Sequence, residues 1–356
     1  MRNIDNFMKN KEAIVVGWIN TGKPADCGET MKNQLLIQKL ESMDVRCHQI
    51  DFKNWREHPW VFLKLAFCLL FKKKATLIFS SSATNVYPFM KLLKQIRWEM
   101  NCIHWVIGGN LGDCVKAGKY KIEYLNYATH TLVESPLMVS ELSRMGLKNV
   151  KMVPNFKPIP YFPSIDKKRK KRDGLTKFVF LSRIMQEKGC AYILEAAQIL
   201  NADGFENKYI IDFYGKIADS FDKEFKHSIS NLPNVHYHGF LNLRDKEGYD
   251  KLATYDIMLF PTYWRGEGFA GVFMDAFISG VPMIVTEWAH NAQFMENGKT
   301  ALFVPVHDVD AISKKMRECI ENQHDLILMA NNCQMEANKY NVDNVITKEF
   351  LQTVGL

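Results

Sequence analysis

Short apolar runs of strand length alternate with longer segments of helical period along nearly the whole chain, and this alternation limits the fold more than any other feature. A parallel strand covered on both faces reads as a continuous apolar run, and the helices that cover it repeat their apolar residues every three or four positions. The strand candidates of the first half are AIVVGW (13–18), VRCHQIDF (45–52), ATLIFSS (75–81), CIHWVIG (102–108), HTLVES (130–135) and VKMVPN (150–155). Between the first two, Leu35, Leu36 and Leu40 recur at helical spacing. The second half repeats the scheme with FVFLSRI (178–184), YIIDFYG (209–215), NVHYHGF (234–240), DIMLFPT (256–262) and PMIVTE (282–287). Helices are expected over CAYILEAAQIL, LRDKEGYDKLATY and VFMDAFIS. This is α/β architecture with parallel sheets.

A break separates the halves. The stretch from Lys157 to Lys177 holds three prolines and a basic run, Lys167–Arg172, which is the composition of a linker. A chain of 356 residues also exceeds the roughly 250 to 300 at which single cores stop growing. The expected division is an N-terminal domain over 1–160, a linker over 161–175, a second domain over 176–338, and a final helix over 339–356 that packs back on the N-terminal domain. That helix, NVDNVITKEFLQTV, has Val345, Ile346, Phe350 and Leu351 on one face.

With 47% hydrophobic and 24% charged residues the composition is that of a globular enzyme. A net charge of +7 permits a phosphate, a nucleic acid or an anionic membrane as partner and does not choose among them. The basic run lacks interleaved aromatic residues, so a solvated loop is expected there and no nucleic-acid partner. Eight scattered cysteines without CxxC spacing read as reduced thiols in a cytoplasmic protein. The N-terminal stretch shows no apolar leader before the first strand. The most apolar segment, Pro59 to Phe71, is too short to span a bilayer. It reads either as a buried helix or as a face lying on an anionic membrane, with Lys72, Lys73 and Lys74 at the headgroups.

Two near-motifs carry no site. GWINTGKP resembles a phosphate loop, but Pro24 stands where the magnesium-binding hydroxyl belongs. Asp308 and Asp310 precede a helix, where capping explains them better than a metal does. No histidine spacing suits a metal either, so none is expected.

The stretch GEGFAGVFMDAFISGVPMI (266–284) sets Glu267 in a glycine-rich loop after a strand and Asp275 one turn into the following helix. Glycines let backbone approach a ligand, and a helix start offers unpaired N–H groups to phosphate or sugar oxygens. Both carboxylates can accept hydroxyl hydrogen bonds; equally, Asp275 can complement the helix dipole and Glu267 can be solvated. Arg183 and Lys188 in LSRIMQEKG follow another strand, and two fixed cations there can neutralise a diphosphate. Gly239 and Phe240 in NVHYHGFL lie at a third strand end, suited to a planar base.

In order and kind, FVFLSRIMQEKG, DFYGK, NVHYHGFL, YDIMLFPTYWRGEGFAGVFMDAFISGVPMIVTE and ENGKTALFVPVHDVDAI resemble the retaining nucleotide-sugar glycosyltransferases of family 4. The resemblance implies a GT-B fold of two facing Rossmann-like domains with a cleft between them. It implies that Arg183 and Lys188 hold the donor diphosphate and that Glu267 binds hydroxyls of the transferred sugar. Backbone of Gly268, Phe269, Ala270 and Gly271 meets the sugar or phosphates, and Asp275 stands where the family places a ribose-binding glutamate. Ala270 and Cys27 replace usual glycines. On the acceptor side it implies Gly28 and Glu29. His104 matches the histidine the family places near the reacting sugar, or is a core histidine. The implied reaction is transfer of a hexose-type sugar with retention, without metal or cofactor, from a UDP-sugar rather than a GDP-sugar. The implied acceptor is a glycan, lipid-linked, in bacterial capsule, O-antigen or exopolysaccharide synthesis at the inner face of the cell membrane. A non-catalytic or nucleic-acid-binding protein of the same fold, and an inverting transferase, are the competing expectations.

Overall fold

A computed structural model describes residues 11–165 and 174–356; the N-terminal stretch 1–10 and the basic run Lys167–Arg172 lie outside the described residues. The chain divides into two compact units, one reaching to Pro158 and including Tyr340–Leu356, the other Ile159–Lys339.

The first unit is built on strands β1 (Lys11–Gly17), β2 (Val45–Asp51), β3 (Thr76–Ser81), β4 (Cys102–Val106), β5 (His130–Val133) and β6 (Val150–Met152). They pair in the order β2-β1-β3-β4-β5-β6, all parallel. Every residue of β3 is buried, as its unbroken apolar and small-residue run requires of a central strand. The order reverses between β1 and β3. There the side-chain amide of Asn33, on the helix Gly28–Ser42, donates to Trp18 O at 2.9 Å and Ser80 O at 3.0 Å, tying the two strand ends together. Gly17 suits that spot because a Cβ would lie 2.2 Å from Ser80 O. The same helix buries Lys32, whose Nζ donates to Glu134 at 2.6 Å just beyond β5.

The second unit holds β7 (Thr176–Leu181), β8 (Tyr209–Tyr214), β9 (Val235–Tyr237), β10 (Ile257–Phe260), β11 (Met283–Thr286) and β12 (Ala301–Val304). Their order is β12-β11-β10-β7-β8-β9, again all parallel. Its reversal falls between β10 and β7. In open α/β sheets, ligands bind outside the carboxyl ends of the strands at such a reversal.

All eleven expected strands form, and β12 joins them unforeseen. Several end earlier than expected: 256–262 stops at Phe260, because Pro261 has no N–H for a ladder. The expected C-terminal helix is two short ones, Val342–Val345 and Lys348–Thr353, broken where the Thr347 hydroxyl accepts from Phe350 N to cap the second. Both pack in the first unit, with Ile346, Leu351 and Val354 buried against Trp105 and Phe156. Asp308 caps the helix Val309–Glu321 by accepting from Ala311 N at 2.8 Å.

Candidate active site

Two loops meet at the β7/β10 reversal. The loop after β7 carries Arg183, then a single 3-10 turn, Gln186–Lys188, then Gly189 at the start of the helix Cys190–Ala202. Gly189 has φ +76°, and a Cβ there would lie 2.2 Å from Pro261 O, so only glycine lets this loop lie against the end of β10. Tyr263 N donates to Glu187 O at 2.9 Å and completes the seam.

Across that seam Lys188 Nζ donates to Glu267 Oε2 at 2.5 Å, and the Thr262 hydroxyl donates to the same oxygen at 2.9 Å. Both charged side chains are largely buried, and the ammonium also lies 5.1 Å from the centre of the Phe260 ring. Glu267 Oε1 takes no hydrogen bond from a described residue. Arg183 is exposed nearby in sequence and makes no hydrogen bond or ion pair among the described residues. Thr262 was invisible to sequence reasoning, which read it only as the last residue of a strand.

The helix Gly271–Ile278 follows. Its N-cap is Ala270, which offers no side-chain cap, so first-turn N–H groups are left for other acceptors. Gly268 is buried, and Gly271 has open space where a Cβ would stand. Phe269 fixes the approach of this backbone through ring contacts with Phe294 at 4.3 Å and Phe273 at 5.8 Å. Asp275 is buried and accepts from the Tyr249 hydroxyl at 2.9 Å. Burial, with the Asp275 carboxylate second, pushes the Tyr249 phenol far above its ordinary range, so it stays a donor. Nothing in the spacing of LRDKEGYDKL marked Tyr249 as that partner.

At the β8 and β9 ends, Gly215 N donates to Gly239 O at 2.6 Å, and Gly239 has φ +72° with open space at its Cβ. Phe240 beside it is 81% exposed. His238 lies 2.9 Å from Asp212, which also accepts from Tyr255 at 2.6 Å, so the base of this loop is braced. Cys190, at a helix start beside the cations, is held as a neutral thiol because burial raises its pKa well beyond the ordinary value.

In the first unit, Glu29 accepts from the Ser81 hydroxyl at 2.6 Å and from Trp18 N at 3.4 Å. Burial pushes its carboxyl above the usual range. Ser81 and Trp18 both line a cavity of about 550 Å³ at the β1/β3 reversal, walled by Trp55, Phe62 and Phe89 with Arg56 and Asn85. Gly28 is exposed beside it in sequence, with open space at its Cβ. The phosphate-loop look-alike is occupied by the protein itself: Asp51 accepts from Ile19 N at 3.0 Å and Thr21 N at 2.8 Å.

His104 belongs to the first unit. It lies inside β4, fully buried, with neither ring nitrogen hydrogen-bonded, and burial lowers its pKa to about 4. Of the alternatives open for it, this placement is that of a neutral core histidine.

Residues 176–322 match the family Glycosyl transferases group 1. A 147-residue stretch is 24% identical to the capsular polysaccharide biosynthesis glycosyltransferase CapM of Staphylococcus aureus, covering 40% of this chain and 36% of that protein. Matched stretches span only about a third of the length of the curated relatives. Among solved structures, Anabaena HepE in complex with UDP superposes with a TM-score of 0.69 at 14% identity, over 97% of this chain and 99% of that one. Sucrose-phosphate synthase of Thermosynechococcus elongatus gives 0.73 at 13% identity, over 97% and 98%.

Proposed function

We propose, from a chain of the GT-B fold whose residues 176–322 match the group 1 glycosyl transferases, that the protein transfers a hexose-type sugar from a UDP-sugar to a glycan acceptor. The observation that carries this reading is the Lys188–Glu267 pair at the β7/β10 reversal. An ammonium has three donors; with one on Glu267, the others remain for diphosphate oxygens, and Arg183 adds a second cation. Glu267 Oε1, fixed through its bonded neighbour, accepts a sugar hydroxyl. The uncapped N-terminus after Ala270 receives phosphate or sugar oxygens, Gly239 and Phe240 receive the base, and Asp275 with Tyr249 faces the ribose.

As the anomeric C–O bond ionises, negative charge grows on the leaving diphosphate, and fixed cations stabilise it more than they stabilise the ground state. Arg183 and Lys188 thereby fill the role a divalent ion takes elsewhere. The acceptor hydroxyl attacks from the departing side, gives its proton to a phosphate oxygen, and the configuration is retained. Neither Glu267, already bonded to an ammonium, nor Asp275 serves as nucleophile. Acceptor contacts fall to Glu29 and the cavity beside it. CapM supports a surface-polysaccharide acceptor, which we assign to the lipid-linked class at the inner face of the cell membrane. Eight free cysteines fit the reducing cytoplasm.

Calorimetry with UDP, GDP, ADP and their sugars, with and without EDTA, tests the reading. UDP or a UDP-sugar is expected to bind unaffected by EDTA, and Lys188→Ala to abolish binding. NMR of the product anomer then decides retention. No nucleotide binding at millimolar concentration would sink the proposal.

A further inference from the structure

The helix Val61–Phe71 is apolar at every position but Lys64, a pattern that ordinarily means burial between other elements. Here only one face is covered, by way of Val61, Leu65 and Cys68. The opposite face repeats at helical spacing and points outward: Leu63 is 74% exposed, Phe67 57%, Leu70 54% and Phe71 68%, with Trp60 at 66% ahead of the first turn. The neighbouring helix Ala83–Gln95 touches it through Phe62 and Phe89, and Lys73 beyond one helix lies over Trp98 beyond the other. That second helix adds its own exposed stripe of Leu92 and, just past its end, Ile96.

The charges along this stretch are mostly basic, with Lys53 paired to Asp26 and Lys72 to Glu12. Residues 52–98 contain nine lysines and arginines and a single acidic residue, Glu57. An apolar protein partner does not call for such a rim; an anionic lipid surface does, since basic residues there gain energy from headgroup phosphates while apolar ones enter the acyl boundary. At eleven residues the helix is about 16 Å long, half of a hydrocarbon core, so it lies in the surface rather than across it. Among the described residues no helix is long and apolar enough to cross a membrane.

We propose that this helix pair docks the protein on an anionic bilayer, with Leu63, Phe67, Leu70 and Phe71 in the acyl boundary and Lys64, Lys74 and Lys94 on the phosphates. The β1/β3 cavity adjoins the same face, because Trp55, Phe62, Pro88 and Phe89 line it from these two helices and the loop before them. The docked cavity thus lies at headgroup level, where an acceptor carried on a lipid is met. The docking itself stands on the surface alone and holds whether or not the transferase reading does.

Flotation of the full chain with phosphatidylglycerol-containing vesicles and with pure phosphatidylcholine vesicles tests it. Binding is expected to the anionic vesicles only and to weaken in high salt. With each lysine worth about 1 kcal/mol near the surface, Lys64→Gln together with Lys74→Gln is expected to weaken binding about 25-fold. Leu63→Glu with Phe67→Glu should abolish it while leaving the melting temperature and UDP affinity unchanged. Wild-type protein that stays free of anionic vesicles overturns the proposal. So does a dimer in solution that Leu63→Glu splits, because the face is then covered by a second copy. Vesicle binding without nucleotide binding would leave the docking intact and remove only the transferase reading.

Discussion

Lys188 and Glu267 hold each other in a nearly dry place, so their contributions to folding and to chemistry must be separated by design. Removing one member of such a pair leaves a buried charge unpaired, at a cost of about 3 to 5 kcal/mol. Lys188→Ala should therefore lower the melting temperature as well as abolish donor binding. Lys188→Met combined with Glu267→Gln is expected to recover most of the stability and none of the nucleotide affinity. A double variant that binds UDP would move the diphosphate elsewhere. His104 offers a second residue-level test. Its pKa in the fold is about 4 against an ordinary 6.5, so the fold excludes the protonated form. The stability this contributes is complete above pH 6.5 and is lost as pH falls toward 4, in total on the order of 3 kcal/mol. His104→Leu should flatten that acid dependence in denaturant unfolding and leave turnover near wild type; loss of turnover with stability preserved would return His104 to the chemistry.

Elements were legible where one physical demand decided them. Strands β3 and β10 read clearly because a covered parallel strand is apolar or small at every position, as TLIFSS and IMLF are. The β12 strand hid in TALFVPVH, only four residues long at a sheet edge and half-buried in its middle. The split of the last helix turned on the Thr347 hydroxyl preferring to cap a new turn, a local hydrogen bond that periodicity does not report. The segment from Pro59 to Phe71 supports two readings from composition alone, and the helix carries features of both, packed on one face and bare on the other. In the second unit, glycines, cations and carboxylates at strand ends marked the loops that meet at the β7/β10 reversal. What escaped were the partners, Thr262 and Tyr249, whose roles depend on which strands lie side by side rather than on any spacing along the chain.

The molecule closes its first unit with its last residues. Val342, Ile346, Leu351, Val354 and Leu356 are buried in that unit's core, and Asn101, Thr76 and Lys151 donate to the carbonyls of Val354, Gly355 and Thr353. Each such side chain is worth about 1.5 to 3 kcal/mol on burial, so together they rival the whole net stability of an ordinary domain. Deleting residues 340–356 should therefore unfold the first unit and spare the second. Hydrogen exchange is expected to show β1 to β6 unprotected while β7 to β12 keep their protection and UDP still binds; continued protection of β1 to β6 would mean the tail is dispensable. The same arrangement dictates an order of assembly during synthesis. The ribosome delivers residues 11–158 first, yet their core lacks its last side chains until everything through residue 339 has been made. The second unit can thus finish folding while the first, begun earlier, still waits with a gap in its sheet's cover. A chain halted anywhere before residue 340 would leave that part of the first unit's core bare.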